Sequence, residues 1–318
     1  MIPVLLLLAL PASGKSEIRR YLEHPDPSLP SLPVGPTIQL DDYPYVHIMR
    51  RISQEQLDAG IAPTFFDSVD SSFTDPRDWL TLIHLLNEDF ASLGTPERPS
   101  PQPEDLFDRI DAARCRAGIS GGSVPRQRER VARALAGDAA ELAESLPVVT
   151  GETLTRSTVV IEFARGGPTG AAAPLPHPIG YRASLAALSA AILTRAAILY
   201  VWVSPEESRR RNRERAVAGP EGDATILHHG VPEQVLRADY GMDDIEWLEK
   251  TSPQPGAILV KADAATIAVP VQRFDNRVDR TSFLRDDPAE WALDRIRSLH
   301  AELARALERL DGTRPSSD

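Results

Sequence analysis

The chain has 318 residues, 42% of them hydrophobic and 25% charged, so its composition is that of a globular protein long enough to bury a core. Its formal net charge is -11, which excludes binding of nucleic acid or an anionic membrane through overall charge, so any anion site must be local. Cys115 is the only cysteine, which excludes an internal disulfide and a cysteine-based zinc cluster.

The first predicted strand covers residues 3–8 and runs directly into the sequence ALPASGKS. No Lys or Arg precedes this apolar run and no clear cleavage site follows it, so we expect a cytoplasmic protein, with a signal peptide as the alternative. Residues 15–22 begin a helix, which places ALPASGKS at a strand-to-helix turn.

This turn matches the phosphate-loop pattern G-x-x-x-x-G-K-[ST] at Gly14, Lys15 and Ser16. In such a loop, backbone N–H groups hold phosphate oxygens, the lysine reaches the outer phosphates, and the hydroxyl ligates Mg²⁺. Ala9 replaces the first glycine, which matters only if position 9 needs a positive φ or a very close backbone approach. A chance match after a core strand is the alternative. The predicted nucleotide-binding residues of the loop are Ala9, Leu10, Pro11, Ala12, Ser13, Gly14, Lys15 and Ser16.

The rest of the chain alternates between predicted strands and helices. TIQLDD forms a second strand, and the helical and polar residues 43–156 are interpreted as an insertion over the sheet edge that builds a substrate pocket. STVVIEF and AILYVWV are continuous apolar runs typical of parallel strands, and GAILVKAD and TIAVPVQRFDN predict one or two more. Residues 204–256 are the predicted lid region. We therefore expect an α/β fold with three layers around a parallel sheet of about five strands, in a domain of residues 1–285 followed by an amphipathic helix and tail at 286–318.

Charged side chains follow three of these strands, where ligands of parallel sheets bind. Asp41 and Asp42 could orient a substrate hydroxyl, or could form a solvated acidic turn. Glu162 needs a partner such as Lys15, Arg165 or Mg²⁺ if it is buried, and a structural ion pair is the alternative.

A cluster of arginines follows the fourth strand in SPEESRRRNRER. Arg211 and Arg215 lie one turn apart and share a helix face, where fixed guanidinium groups could stabilise a phosphoryl group. A solvated basic face is the alternative interpretation.

Together, ALPASGKS, LDDYPYV, VVIEFARGG and SPEESRRRNRER resemble the P-loop kinases of small metabolites, a group that holds nucleoside, nucleotide and uridine kinases. The resemblance implies a P-loop NTPase fold, ATP and Mg²⁺ as cofactors, and transfer of the γ-phosphate to a hydroxyl or phosphate of a nucleoside- or nucleotide-like acceptor. Uridine kinases have glycine after the glutamate of the third motif, whereas this chain has Phe163, so the acceptor class stays open.

The resemblance also assigns roles to single residues. Asp41, or Asp42 in its place, is implied to accept the proton of the acceptor hydroxyl. Glu162 is implied to hold Mg²⁺ together with Ser16, with Asp41 or Asp42 as the alternative to Glu162. Arg211 and Arg215 are implied to be catalytic lid arginines beside Lys15. Asn276 of PVQRFDN is implied to lie next to the nucleotide base.

Two other functions fit the same motifs. A zeta-toxin-like sugar-nucleotide kinase shares the phosphate loop, the early aspartate and the later arginines. A nucleotide-dependent ATPase or switch would bind a partner through the insertion and the C-terminal helix. The expected partner is a small-molecule phosphate acceptor, with neither nucleic acid nor membrane, and the oligomeric state stays open.

Overall fold

The structure is a computed structural model, and it describes residues 1–95, 97–124, 128–217, 230–262 and 265–313. Within residues 215–217 the description covers the backbone only.

A six-stranded sheet forms the centre of the fold, in the order β2-β3-β1-β4-β6-β5. Its strands are β1 (Val4–Leu8), β2 (Thr37–Asp41), β3 (Thr158–Phe163), β4 (Ala196–Trp202), β5 (Ala257–Ala262) and β6 (Ala265–Asp275). All neighbouring strands pair in parallel except β5 and β6, which are antiparallel. The prediction of about five parallel strands is corrected here: two residues separate β5 from β6, and a parallel pairing needs a crossover of a dozen residues or more.

Helices connect the strands and form a separate stretch between β2 and β3. The helices of the described residues are α1 (Lys15–Glu23), α2 (Tyr43–Asp58), α3 (Asp78–Ser92), α4 (Pro103–Arg116), α5 (Arg128–Ala134), α6 (Ala136–Ser145), α7 (Gly151–Arg156), α8 (Gly180–Ala187), α9 (Ala190–Leu193), α10 (Pro205–Val217), α11 (Glu233–Asp239), α12 (Ile245–Thr251) and α13 (Leu293–Gly312). None of those helices combines the length and the apolar character that a membrane span requires.

Helices cover both faces of the sheet. Side chains alternate along a strand, so Leu5 and Leu7 of β1 face one side while Leu6 and Leu8 face the other. The first pair packs in a buried cluster with α1 and α13, and the second pair packs with α3, α8 and α12. The result is an α/β fold with a mostly parallel sheet, compatible with the three layers that the sequence predicts.

The stretch between β2 and β3 has a hydrophobic core of its own, built by helices α2 to α6. Helix α3 belongs to two cores, because Leu82 and Leu85 pack into the insertion while Ile83 and Leu86 pack on the sheet. The insertion therefore packs on a face of the sheet through α3, and does not only extend over the edge as predicted.

The C-terminal helix α13 packs its apolar stripe against the sheet. Leu299, Leu303 and Leu307 are at most 1% exposed and lie in the same cluster as Ile18 and Tyr21 of α1. Helix α1 is therefore held between the sheet and elements from the end of the chain. The loop that connects β1 to α1 is thus anchored at both ends in the core.

Candidate functional site

The loop between β1 and α1 contains two residues with positive φ just before the helix. Gly14 is the N-cap of α1 with φ of 103°, and Ala12 has φ of 54°. Position 9 does not need glycine, because Ala9 lacks a positive φ and its methyl group lies in the core cluster beneath α1. Alanine in place of the first glycine of the pattern therefore causes no backbone strain at position 9. The non-glycine residue of the loop with left-handed backbone angles is Ala12.

Two side chains of the loop have polar atoms in its interior. Lys15 is 7% exposed, and its Nζ donates to the carbonyl oxygen of Ala9 at 3.3 Å. Ser13 is 1% exposed, and its Oγ has no hydrogen-bond partner among the described residues. A buried hydroxyl without a partner is costly, and a ligand that supplies one would satisfy it.

Two carboxylates lie side by side next to this loop. Asp41 ends β2 and Glu162 lies in β3, and their Cα atoms are register partners in the parallel pair. The Oγ of Ser16 donates to Glu162 Oε1 at 3.3 Å. The structure thus brings Ser16, Glu162 and Asp41 together. From the sequence, the first two are predicted Mg²⁺ ligands and the third is the predicted catalytic base.

A cation that sequence reasoning missed lies between the two carboxylates. Nη1 of Arg19 is 3.3 Å from Glu162 Oε2 and 3.5 Å from Asp41 Oδ2. A partner such as Lys15, Arg165 or Mg²⁺ is expected for Glu162 from the sequence, and its side-chain partners among the described residues are Arg19 and Ser16. The signal was present in the sequence, because Arg19 follows Ser16 by three residues and so shares its helix face.

The environment of Asp41 favours its protonated form. Burial, followed by the negative charges of Glu162 and Asp42, raises the pKa of Asp41 to about 7, against a hydrogen bond from the N–H of Tyr43 and the charge of Arg19. A carboxyl group with a pKa near neutrality can both accept and return a proton.

Asp42 forms an ion pair with an arginine outside the loop. Its Oδ2 is 2.6 Å from Nη1 of Arg165, and both side chains are buried. The guanidinium carbon of Arg165 lies over the rings of Trp79 and Phe163, at 5.0 and 5.2 Å from their centroids. Asp42 therefore neutralises a buried arginine that joins β3 to the insertion.

The arginines on α10 differ in burial and in their hydrogen-bond partners. Arg211 is 6% exposed, and its guanidinium donates to Glu207 Oε1 at 2.6 Å and to the carbonyl oxygen of Asn276 at 2.5 Å. The side chain of Arg215 lies outside the described residues. Arg209 belongs to the same predicted cluster but was not one of the two arginines chosen from it. Its Nη1 is buried without a hydrogen-bond partner in the described part of the chain, while its Nη2 lies 3.3 Å from Glu206 Oε1.

Asn276 supports the loop from behind. It is fully buried, and its Nδ2 donates to the carbonyl oxygen of Ser13 at 2.6 Å and to Thr281 Oγ1 at 2.9 Å. Its Oδ1 accepts from the N–H of Arg280 at 2.8 Å. These contacts place Asn276 against the loop between β1 and α1, while its predicted contact with a nucleotide base stays a prediction.

A cavity of about 330 Å³ lies within the insertion, away from this loop. Glu88 and Asp89 of α3 line it, nine and ten residues further along the helix than Trp79, which corresponds to about 14 Å. Trp79 lies beside Arg165, the partner of Asp42, so the cavity is near the opposite end of α3 from that ion pair.

Mg²⁺ fits the donors at the loop only with ligands from outside the protein. Within the described residues no group of three or more Asp, Glu, His or Cys side chains could hold a metal ion. Mg²⁺ is commonly bound by one or two carboxylates together with phosphate oxygens and water. Ser16 and Glu162 are therefore suited to hold it only when a phosphate is present.

Comparisons of this chain with protein families, with curated proteins and with solved structures found no match. The function must therefore be argued from the geometry of the loop and its neighbours.

Proposed function

We propose that the protein is an ATP- and Mg²⁺-dependent phosphotransferase with a P-loop, which moves the γ-phosphate to a hydroxyl or phosphate of a nucleoside- or nucleotide-like small molecule. The observation that carries this proposal is the position of Asp41 and Glu162 beside a helix N-terminal loop that contains Lys15 and Ser16. A loop of this form binds phosphate, and the neighbouring carboxylates supply a base and a metal ligand.

The residues of the chain have separate tasks in this reaction. The amides at the start of α1 and the buried Oγ of Ser13 bind phosphate oxygens, and Lys15 moves its Nζ from the Ala9 carbonyl to the outer phosphates. Ser16 and Glu162 would hold Mg²⁺, which neutralises charge on the phosphates when it is bound.

The acceptor binds beside the carboxylates of Asp41 and Glu162 in the same site. Asp41 accepts the proton of the acceptor hydroxyl, and Arg19 offsets part of the repulsion between the two adjacent carboxylates. Nη1 of Arg209 on α10 has no hydrogen-bond partner among the described residues, and the adjacent Ser208 contacts the loop at the Pro11 carbonyl. We therefore assign to Arg209 the stabilisation of the transferring phosphoryl group, beside or in place of Arg211.

The test is a coupled measurement of ADP release with a panel of nucleosides, nucleotides, sugars and sugar nucleotides. The wild type is compared with Lys15→Ala and with Lys250→Ala, a control lysine whose side chain is 71% exposed on α12. We expect acceptor-dependent release in the wild type and the control, and loss of at least about 100-fold in Lys15→Ala.

A second variant separates transfer from binding. Asp41→Asn should keep ATP binding while losing transfer, because it removes only the base. Slow ATP hydrolysis that no acceptor stimulates and that Asp41→Asn leaves unchanged would favour a nucleotide-dependent switch. Stimulation by sugar nucleotides alone would favour the zeta-toxin-like enzyme.

A further inference from the structure

Three carbonyl oxygens of the phosphate loop accept hydrogen bonds from side chains of distant elements. The Ala9 carbonyl accepts from the hydroxyl of Tyr181 on α8 at 3.0 Å, in addition to Lys15. The Ser13 carbonyl accepts from Asn276, which follows β6, at 2.6 Å. The Pro11 carbonyl accepts from Ser208 Oγ on α10 at 2.7 Å.

The three donors share two properties. Each is buried, with Tyr181 and Asn276 fully covered and Ser208 1% exposed. Each contacts a carbonyl two residues beyond the previous one, at positions 9, 11 and 13. Such alternation means that every second peptide plane of the loop is held in place from outside.

The orientation of a peptide carbonyl decides the direction of the next amide. In a trans peptide the C=O and the following N–H point to opposite sides. With the Pro11 carbonyl held by Ser208, the N–H of Ala12 points away from Ser208, and the N–H of Gly14 likewise points away from Asn276. Neither N–H donates to a protein acceptor within the described residues, so both are available to a ligand.

The loop needs this support because its conformation is strained. Ala12 has φ of 54°, a left-handed value that an alanine rarely adopts. The contact behind the loop is also close, since a Cβ on Gly14 would lie 2.6 Å from Asn276 Nδ2. Side chains that fix alternate peptide planes can hold such a loop in one shape before a ligand arrives.

We propose that Tyr181, Ser208 and Asn276 are positioning residues that turn the amides of the loop toward the phosphates of the nucleotide. The proposal rests on the proposed function, because it requires phosphate to bind at this loop. It assigns a task to three residues that belong to α8, α10 and the segment after β6, none of which is part of the loop.

The test measures binding of ATP and of inorganic triphosphate by calorimetry, without divalent cations. Tyr181→Phe and Ser208→Ala each remove one hydroxyl and keep most of the side-chain volume. Ser184→Ala is the matched control, because Ser184 is a fully buried serine of α8 whose Oγ has no hydrogen-bond partner among the described residues. We expect each of the first two variants to weaken both ligands about fivefold to tenfold, and the control to leave them unchanged.

Two further measurements separate positioning from general stability. Ser208→Thr keeps a hydroxyl at the same position and should restore most of the affinity. With ¹⁵N-glycine labelling, the amide proton resonance of Gly14 should shift downfield when triphosphate binds to the wild type, because it then donates to phosphate. In Asn276→Asp, which removes the Nδ2 donor, the shift should be smaller.

The outcomes are distinct for the two proposals. If the wild type binds neither ATP nor triphosphate, whether Mg²⁺ is absent or added, both the proposed function and the positioning role are wrong. If the wild type binds both ligands and Tyr181→Phe and Ser208→Ala bind them with unchanged affinity, the positioning role alone is wrong and phosphate binding by the loop stands.

Discussion

Asp41→Asn is expected to stabilise the folded protein, by an amount that grows with pH. Burial and the neighbouring charges of Glu162 and Asp42 raise the pKa of Asp41 from 3.8 to about 7. In the unfolded chain the carboxyl keeps its ordinary pKa, so between these two values the folded state binds more protons than the unfolded state. The free energy of unfolding of the wild type therefore falls as pH rises through this window, and it levels off above pH 7.

The size of the effect follows from the two pKa values. A difference of about 3 units corresponds to about 4 kcal/mol above pH 7 and to less than about 1 kcal/mol near pH 4.3. The Asp41 side chain is 19% exposed, so water and salt screen part of this energy, and we expect a gain of about 2 kcal/mol at pH 8. Asparagine keeps the acceptor for the N–H of Tyr43, which Asp41 Oδ1 contacts at 2.9 Å.

The assay is urea unfolding of the wild type and Asp41→Asn at pH 4.3 and pH 8, in buffer without divalent cations. Asp42→Asn is the control at the adjacent position, where the expected sign is opposite. Removing the charge of Asp42 leaves Arg165 buried without its counter-ion, at a cost of about 3 kcal/mol at pH 8. Equal stability of Asp41→Asn and the wild type at pH 8, or a gain of the same size at both pH values, would refute the electrostatic argument.

Three further predictions concern the loop and the last helix. Ala12→Gly should raise the free energy of unfolding by about 1 kcal/mol, because glycine adopts a φ of 54° without strain; a loss of stability in urea would contradict this. Gly14→Ala should destabilise the protein more than Gly256→Ala, since both positions have a positive φ but only at Gly14 would the new Cβ meet a neighbour, Thr281 Oγ1, at 2.4 Å. Equal unfolding midpoints of these two variants would show that the close contact has no effect. Leu303→Ala should cost about 3 kcal/mol in the same assay, because Leu303 is fully buried between α13 and the sheet, and a cost below about 1 kcal/mol would mean that the helix is not docked.

Much of the site follows from short stretches of sequence. The apolar run of β1, the turn and the start of α1 are adjacent in the chain, and their local signals place Gly14, Lys15 and Ser16 at a helix N-terminus. The antiparallel pairing of β5 and β6 could also have been predicted, because two residues are too few for a parallel crossover. Such features depend on interactions between neighbours in sequence.

The partners of the charged groups depend on the tertiary structure. The sequence predicts Lys15, Arg165 or Mg²⁺ as a partner of Glu162. The pairing of β2 with β3 places Glu162 beside Asp41, and the protein cation between the two is Arg19. Arg165 is instead paired with Asp42. One sequence offers many carboxylates to each arginine, and only the register of the strands selects among them.

The sequence by itself determined that a phosphate-loop pattern lies between a buried strand and a helix, because β1 and α1 are specified by residues close together in the chain. Only the tertiary structure decided which side chains hold that loop. Asn276 is separated from Ser13 by 263 residues and Tyr181 from Ala9 by 172, and they meet because β6, α8 and β1 pack in one sheet and its covering layer. Contacts between residues so far apart arise from packing of the whole chain, which no local pattern encodes.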